Sequence, residues 1–336
     1  MKTTLRAVML AFAVGLLSLP AFSEPVKLRI AYVTVPDHLI PLVEHLAELR
    51  PDIFPGNNKT YSVELFRFQG STPQITALAA HEIDIASFGP STLVFAVNNA
   101  HLDMRVIADV LQSGVNNPGL YYAVLKDGPI QKIEDMKGHR AATNSIGGIT
   151  DMLMRIAFFQ HGLNEKDYVV IEAAFPSMLA MIESQKVDLA PVPPPFQGAF
   201  EATGKYRPLM SVRDIEGVEQ VVAWASPVDF ITAHRAALVD FLTDYMRAQH
   251  WFFDPANREQ VLDIAATVTK QSRDNLNYLF MMRDSYRAPD MMPNVPAMQK
   301  EIDLASQAKL MPARVDVTKY LDLSLVTEAK KRLDAK

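Results

Sequence analysis

The stretch RAATNSIGGITDMLMRIAFFQHGL, residues 140–163, indicates the fold class of the whole chain. It begins as a short strand, continues as a polar loop with two glycines, and from Ile149 onward places apolar residues at the period of a helix. Gly162 stands where a left-handed residue ends such a helix. A glycine-rich loop that opens a helix exposes backbone N–H groups at the positive end of the helix dipole. The stretch therefore predicts either an ordinary strand-to-helix turn or a cradle for an anion.

Two other segments resemble each other in the order and chemistry of their parts. They are TPQITALAAHEIDIAS (72–87) and FPSMLAMIESQKVDLAP (175–191), and each passes from a helix through a polar turn into an apolar-Asp-apolar-Ala strand. Two predicted strands precede each segment, at 28–33 and 61–68 in the first case and at 139–143 and 168–172 in the second. Unless such common elements pair by chance, the chain contains two similar α/β lobes with parallel sheet cores.

The connections between the lobes are expected where the composition changes. Residues 112–119 are rich in turn formers, and residues 217–227 contain an apolar run that leads out of the second lobe. After Thr232 the pattern is mainly helical, and a helical tail of this size packs most simply on the first lobe. The predicted division is therefore lobe one at 24–113 and 227–336, and lobe two at 114–226, with two crossings that form a hinge.

The N-terminus predicts export from the cytoplasm. Residues 1–23 combine Lys2 and Arg6, a short apolar run and small residues near position 23, which is the pattern of a cleavable signal peptide. A retained N-terminal anchor is the alternative. Removal of these residues would change the net charge from −5 to −7. This acidity argues against nucleic acid and anionic membranes as partners. The expected location is the periplasm.

The sequence offers little for catalysis or metal binding. It has no cysteine, which excludes thiolate nucleophiles, Cys metal sites and a lipid-modified Cys. Its eight histidines show no metal-ligand spacing. A nucleophile elbow, a phosphate-loop lysine motif and a dinucleotide fingerprint are all missing. We therefore predict no catalytic residue, no metal and no cofactor.

Ligands of open parallel sheets bind beyond the carboxyl ends of the strands. Residues at these ends are mostly small or hydrogen-bonding, which suits capture rather than acid–base chemistry. The candidate ligand-binding residues are Thr34, Asp37, His38, Gly70, Ser71, Gly89, Pro90, Ser91, Asn144, Ser145, Gly147 and Gly148. Pro194 and Phe196 join them from a stiff proline run that presents an aromatic face, and Trp224 and Phe88 are candidates for stacking on an apolar ligand. Helix capping is the alternative role of each Ser and Thr, a rigid loop that of the prolines, and core packing that of Trp224 and Phe88.

Several motifs taken together resemble the periplasmic solute-binding proteins of the nitrate/sulfonate/taurine class of ABC importers. Residues 133–138 (IEDMKG) are similar to the family's "I..DLKGK" segment, with Met for Leu and His139 for the final Lys. Residues 80–86 (AHEIDIA) are similar to its "A.GEIDIA" segment, with His81 in place of the usual Gly. The resemblance extends from about residue 27 to about 230, and more loosely to the end.

This resemblance implies a two-lobed type II periplasmic binding protein fold, in which each lobe is a mostly parallel sheet flanked by helices. The implied function is that of the substrate-binding component of an ABC importer, a monomer without enzymatic activity. It would capture a small organic anion, a sulfonate or carboxylate, aromatic ones included, and deliver it to an inner-membrane permease. The alternatives are a binding protein for a thiamine-pyrimidine precursor, a sensor partner, or an enzyme on the same fold.

Overall fold

The first lobe is built on a mostly parallel sheet. The computed structural model describes residues 24–113, 119–194, 196–280, 286–311 and 314–335. Elements before the first crossing are β1 (Val26–Tyr32), α1 (Ile40–Leu49), β2 (Tyr61–Arg67), α2 (Thr72–Ala79), β3 (Ala86–Phe88), α3 (Pro90–Asn98) and β4 (Met104–Gln112). Strand β1 pairs in parallel with β2, and a parallel bridge from Ile30 to Ile85 joins β1 to the start of β3.

The second lobe repeats this arrangement. Its elements are β5 (Tyr121–Leu125), β6 (Arg140–Thr143), α4 (Ile149–Gln160), β7 (Val169–Glu172), α5 (Phe175–Glu183), β8 (Ala190–Val192), α6 (Gln197–Ala202), β9 (Tyr206–Ser211) and α7 (Val212–Ile215). Strands β6 and β7 pair in parallel, and a parallel bridge from Ala141 to Leu189 leads to β8. Strand β5 lies antiparallel between β8 and β9. The lobe therefore has the strand order β7-β6-β8-β5-β9.

The strand after the second lobe belongs to the sheet of the first. Strand β10 (Gln220–Pro227) pairs antiparallel with both β3 and β4, which gives the order β2-β1-β3-β10-β4. The two lobes are thus equivalent in topology, as the sequence repeat predicts. The second crossing lies before Gln220, so the predicted boundary at residue 226 is wrong by about a strand. The apolar run there enters the core of lobe one instead of ending lobe two.

The C-terminal part of the chain is helical, as predicted. It contains α8 (Val228–Phe253), α9 (Arg258–Thr269), α10 (Arg273–Leu276), α11 (Val295–Gln307) and α12 (Ser324–Asp334). Helix α8 has a non-helical residue at His234. Helix α12 packs on α8. Helix α11 contacts α3 of lobe one and α4 of lobe two, so it connects the two lobes.

Trp224 lies at the centre of the lobe-one core. It is fully buried, and its ring stands edge-on to Tyr245 with centroids 4.7 Å apart and tilted against Phe241 at 5.4 Å. The alternating apolar residues of β10 place it on the sheet face that α8 covers. This position matches core packing, the alternative that the sequence left open for Trp224.

Replacing Trp224 with Ala should destabilise the protein by about 3–5 kcal/mol, because the change opens a large cavity in a rigid core. Trp251→Ala is the matched control, since Trp251 is only partly buried. Urea unfolding followed by circular dichroism measures both. Equal, small losses for the two variants would contradict the assigned role of Trp224.

Candidate functional site

A cavity of about 70 Å³ lies between the lobes at the carboxyl ends of their strands. Lobe one contributes the loops after β1 and β2, and lobe two contributes the start of α4, Phe175 at the start of α5, and Pro193. The remaining wall comes from β4, from Leu120 and from the segment that enters β10, and it is apolar except for Glu219. A second space of about 40 Å³ shares part of this wall and extends toward Ser113 and Pro194. Together they have room for roughly seven water molecules, which suits a small ligand.

The structure brings many of the predicted ligand residues together at this cavity. Those in its wall are Thr34, Asp37, His38, Gly70, Ser71, Asn144 and Gly148. Pro194 lines the adjoining space. They come from both halves of the sequence repeat, so the convergence of strand ends on one gap follows from the fold. Whether they bind a ligand stays a prediction.

Other predicted residues lie outside the cavity wall. Gly89, Pro90, Ser145, Gly147, Phe196 and Trp224 are in this group, together with Ser91. Ser91 is buried and donates through its N–H and its hydroxyl to Glu301, at 3.0 and 2.5 Å. Phe196 stacks on Phe175 with ring centroids 5.8 Å apart, so it supports a wall residue from behind. Phe88 is buried in a core cluster that contains residues of both lobes.

The glycine-rich loop before α4 does not provide a free set of N–H donors. The N–H of Ile146 donates to Glu172 at 2.9 Å, and that of Gly147 donates to Asp151 at 2.9 Å. The N–H of Gly148 donates to the carbonyl of Ser145 at 3.0 Å. The predicted anion cradle at these three residues is therefore wrong, because the protein's own oxygens already accept from them. The first turn of α4, at Ile149 and Thr150, is the part of this helix that reaches the cavity.

The lobes are held together by a reciprocal pair of hydrogen bonds beside the cavity. The Gln69 side chain donates to the Asn144 carbonyl at 2.9 Å, and the Asn144 side chain donates to the Gln69 carbonyl at 2.8 Å. Thr72 at the start of α2 adds a bond from its hydroxyl to the Ile146 carbonyl at 2.8 Å. Gly70 permits this approach, since a Cβ there would stand 2.2 Å from the Cβ of Ser145. The described arrangement is a closed one.

His38 is a neutral hydrogen-bond donor at the cavity. The N–H of Thr34 donates to its Nδ1 at 3.4 Å, so the ring proton belongs on Nε2. Nε2 is buried and has no partner among the described residues. Burial, and then the charge of Arg287, lowers the pKa of His38 to about 4. Arg287 is itself buried behind this loop, where its Nη2 donates to the carbonyls of Pro36 and Asp37.

Three buried carboxyl groups lie at the second crossing between the lobes. Burial raises the pKa of Glu219 to about 8 and that of Glu301 to about 7, and it raises the pKa of Glu216 well above its ordinary value. Their mutual repulsion adds to the shift for Glu216 and Glu219. Glu219 lines both spaces of the cavity, whereas Glu216 and Glu301 line neither. Sequence reasoning missed Glu219, because a single acid before an apolar run gives no signal of a site.

Two kinds of feature are absent from the described residues. They contain no cluster of His, Asp or Glu side chains that could hold a metal ion. Over the same ranges, no helix is both long enough and apolar enough to span a bilayer.

Comparisons with known proteins identify the family of this chain. The model of the NMT1-like family matches residues 22–266, which is well over half of the chain. The chain belongs to the NMT1-like family. A search of the curated proteins finds no match by sequence.

Solved structures with the same fold include two binding proteins and an enzyme. The alkanesulfonate-binding protein SsuA from Xanthomonas axonopodis pv. citri is 18% identical with a TM-score of 0.69, and the match covers 90% of this chain and 99% of that one. The periplasmic nitrate-binding protein NrtA from Synechocystis PCC 6803 is 16% identical with a TM-score of 0.70, covering 93% and 90%. The desulfurization enzyme DSZB is 14% identical with a TM-score of 0.62, covering 91% and 99%.

These matches confirm the resemblance and the type II periplasmic binding protein fold that the motifs implied. They also show that sulfonate-binding, nitrate-binding and enzymatic proteins share the fold. At these identities the likeness concerns the fold alone, so the ligand of this member of the NMT1-like family must be inferred from its cavity.

Gly70→Ala should shift this NMT1-like chain toward an open arrangement. Relief of the clash with Ser145 requires the lobes to part, and overpacking of about 1–3 kcal/mol changes the ratio of open to closed molecules by about 5- to 150-fold. Small-angle scattering should show a larger radius of gyration. Gly198→Ala is the control, because a Cβ there meets nothing within 4 Å. Identical scattering from the two variants would show that Gly70 does not limit closure.

The buried carboxyl groups should make stability fall as the pH rises from 7 to 8.5. Above pH 7 the folded protein keeps a proton mainly on Glu219, and only in part on Glu301, whereas the unfolded chain has already released both, so deprotonation favours unfolding. Each such group contributes a slope of up to about 1.4 kcal/mol per pH unit. His38 acts in the opposite sense, but mainly below its ordinary pKa of 6.5.

Glu219→Gln should therefore flatten the decline of stability with pH, as measured by urea unfolding at pH 7, 7.75 and 8.5. Glu82→Gln, on the exposed turn after α2, is the control and should keep the wild-type slope. A Glu219→Gln slope equal to that of wild type would contradict the assignment of a proton to buried Glu219.

Proposed function

We propose that this protein is the solute-binding component of an ABC importer and that it captures a small organic acid, a sulfonate or carboxylate, in the interlobe cavity. The observation that carries the proposal is the cavity itself, which both lobes line and which the Gln69–Asn144 pair closes. A ligand that contacts both lobes stabilises the closed form, because only a difference in affinity between states can move that equilibrium.

An acidic group of the ligand is favoured by the helix ends that meet at the cavity. Ser71 precedes α2, Gly148 precedes α4, and Phe175 begins α5, and all three residues are in the wall. A helix N-terminus stabilises negative charge through its dipole and its unsatisfied N–H groups. Buried Arg287 adds a positive charge behind the loop that carries His38. None of the described wall residues is Lys or Arg, so the helix ends and neutral donors would hold the acid.

Binding without turnover is supported by the partners of the Thr150 hydroxyl and of His38. The Thr150 hydroxyl donates to Asn144 at 2.6 Å and lies 2.9 Å from that of Thr143, an arrangement that fixes the loop rather than activating a nucleophile. His38, a candidate base, bonds to a backbone N–H. An enzyme on the same fold would bring a nucleophile to such a base.

The cellular setting follows from the proposal. The chain would act in the periplasm, exported by residues 1–23, which lie outside the described residues. Its macromolecular partner would be a permease of the inner membrane that recognises the closed form. The structural neighbours with this fold include a protein named as a periplasmic nitrate-binding protein.

Isothermal titration with propane-1-sulfonate, butanoate and their amino-substituted analogues tests this function. At least one acid should bind saturably and reduce the radius of gyration, and butan-1-ol, which lacks the acidic group, should do neither. Ser71→Ala should weaken binding by about tenfold, because it removes a hydroxyl from the cavity wall. The control is Ser177→Ala, whose hydroxyl donates to the Ala174 carbonyl. Absence of saturable binding by every acid would refute the proposal.

A further inference from the structure

Three buried carboxyl groups gather where the second crossing meets α11. Glu216 ends α7, Glu219 lies in the crossing and Glu301 is on α11, and they are 3%, 1% and 1% exposed. Both carboxyl oxygens of Glu216, both of Glu219 and one of Glu301 lack a hydrogen-bond partner among the described residues. We call these three residues the hinge cluster. Burial of polar atoms without hydrogen bonds is unfavourable, and burial of their charged forms is more so.

The members of the hinge cluster are attached to different parts of the molecule. Glu216 belongs to α7, which packs on α4 and β9 of lobe two. Glu301 accepts from the N–H and the hydroxyl of Ser91 at the start of α3, in lobe one. Glu219 is tied to the first crossing, because its N–H donates to the Ser113 hydroxyl at 2.7 Å and its carbonyl accepts from the Ser113 N–H at 3.0 Å. Rotation of one lobe against the other therefore changes the distances within the cluster.

The backbone between Glu216 and Glu219 is suited to a hinge. Gly217 has a φ of +83°, in the left-handed region that glycine adopts readily. The Lys300 side chain on α11 donates to the Glu216 carbonyl at 2.5 Å, which joins the end of α7 to α11 in the closed arrangement. Hinges are commonly a few residues at the end of an element that absorb a change in φ and ψ. Residues 216–219 have this position between the lobes.

The hinge cluster lies on the cavity side of the crossing. Glu219 lines both spaces of the cavity. Ser91, the partner of Glu301, is in the first turn of α3, and this turn contacts lobe two through the Thr92 hydroxyl, which donates to the Gly147 carbonyl at 3.4 Å. Parting of the lobes therefore admits water to the cluster, and water provides the hydrogen bonds that its carboxyl oxygens lack in the closed form.

We propose that the hinge cluster is a pH-sensitive switch of lobe closure, in which protonated carboxyl groups permit the closed arrangement and their ionisation drives the lobes apart. In the closed form the ionised groups would repel one another and would lack hydration. In the open form they move apart and water solvates them, while the released protons go to solvent. The inference concerns the ligand-free protein, so it does not depend on the proposed function.

The direction of the switch follows from the pKa values of the closed form. Burial raises the pKa of Glu219 to about 8, that of Glu301 to about 7 and that of Glu216 well above its ordinary value. Repulsion by Glu301 adds to the rise for Glu216 and Glu219. Hydration in the open form returns these pKa values toward ordinary ones, so the closed form binds more protons between pH 7 and 9. The open form therefore gains population as the pH rises.

Other ionisable side chains surround the hinge cluster. The charge of Lys300 lowers the pKa of Glu216, but burial and the two carboxyl neighbours outweigh it. Tyr122 on β5 interacts with Glu216 and Glu219, and its own pKa is raised well above 10, so it stays neutral up to pH 9. The remaining groups are Asp151 on α4, which acts on Tyr122, Arg213 and Asp214 on α7, and Asp37 and His38 across the cavity.

Single-molecule FRET on the ligand-free protein measures the open and closed populations. Thr76→Cys on α2 and Ala180→Cys on α5 place one dye on each lobe, at exposed positions that correspond in the sequence repeat, and the chain has no other cysteine. The ratio of open to closed molecules should rise by at least about tenfold between pH 7 and 9, since release of one proton from a group of pKa about 8 gives that change. Far-UV circular dichroism should stay constant, because opening keeps the helices.

Replacement of all three acids of the hinge cluster by Gln should remove the rise, because the amides cannot ionise. The matched control replaces three exposed glutamates by Gln, at Glu48, Glu82 and Glu201, and should keep the wild-type profile. If the triple variant of the cluster does not fold, the single variant Glu219→Gln should still show a smaller rise than wild type.

A wild-type ratio that stays constant between pH 7 and 9 would overturn the switch. The same conclusion would follow from an undiminished rise in the cluster variants, from loss of the rise in the control, or from a change in FRET that accompanies loss of helix. Because no ligand is present, each of these results leaves the proposed function untouched.

Discussion

The insertion of β10 between β3 and β4 is the constraint on which the rest of the structure depends. This strand returns the chain from lobe two to the centre of the lobe-one sheet, where both of its edges are paired. Gln220 at its start donates to Asp109 at 2.7 Å and accepts from the Asn294 N–H at 2.7 Å, which ties the tail to the sheet. Trp224 then anchors the core, and Glu219, one residue before the strand, is fixed in the cavity wall.

The same insertion explains why two chemically different groups of residues line the cavity. The loops that follow β1, β2 and β6 bring helix starts and small polar groups, because strand ends and helix starts of parallel units meet at one edge. The crossing that leads into β10 approaches from the hinge and brings Glu219, a carboxyl group whose pKa burial raises to about 8. Closure by Gln69 and Asn144 encloses both in one space.

Features that depend on local pattern could be predicted from the sequence. The repeat of residues 72–87 and 175–191 indicates equivalent lobes, and Gly162 has the positive φ of +80° expected of a helix end. Features that depend on long-range pairing could not. The apolar run at 217–227 is compatible with either lobe, and the registers of β3 and β4 decide between them. Likewise, the loop at 146–148 has the composition of an anion cradle, but Glu172 and Asp151 occupy its N–H groups.

Neither the fold nor the family determines which ligand the protein binds. The fold fixes where strand ends converge, so proteins with less than 20% identity can share it while they are named for different ligands or reactions. Recognition depends instead on the few side chains that face the gap and lack partners of their own. In the part of this chain that the structure describes, His38 offers a buried donor and Glu219 a buried carboxyl group. Since hydrogen-bond discrimination exceeds what an apolar wall provides, these two groups should restrict the ligand more than Leu111, Leu120 or Val221 do.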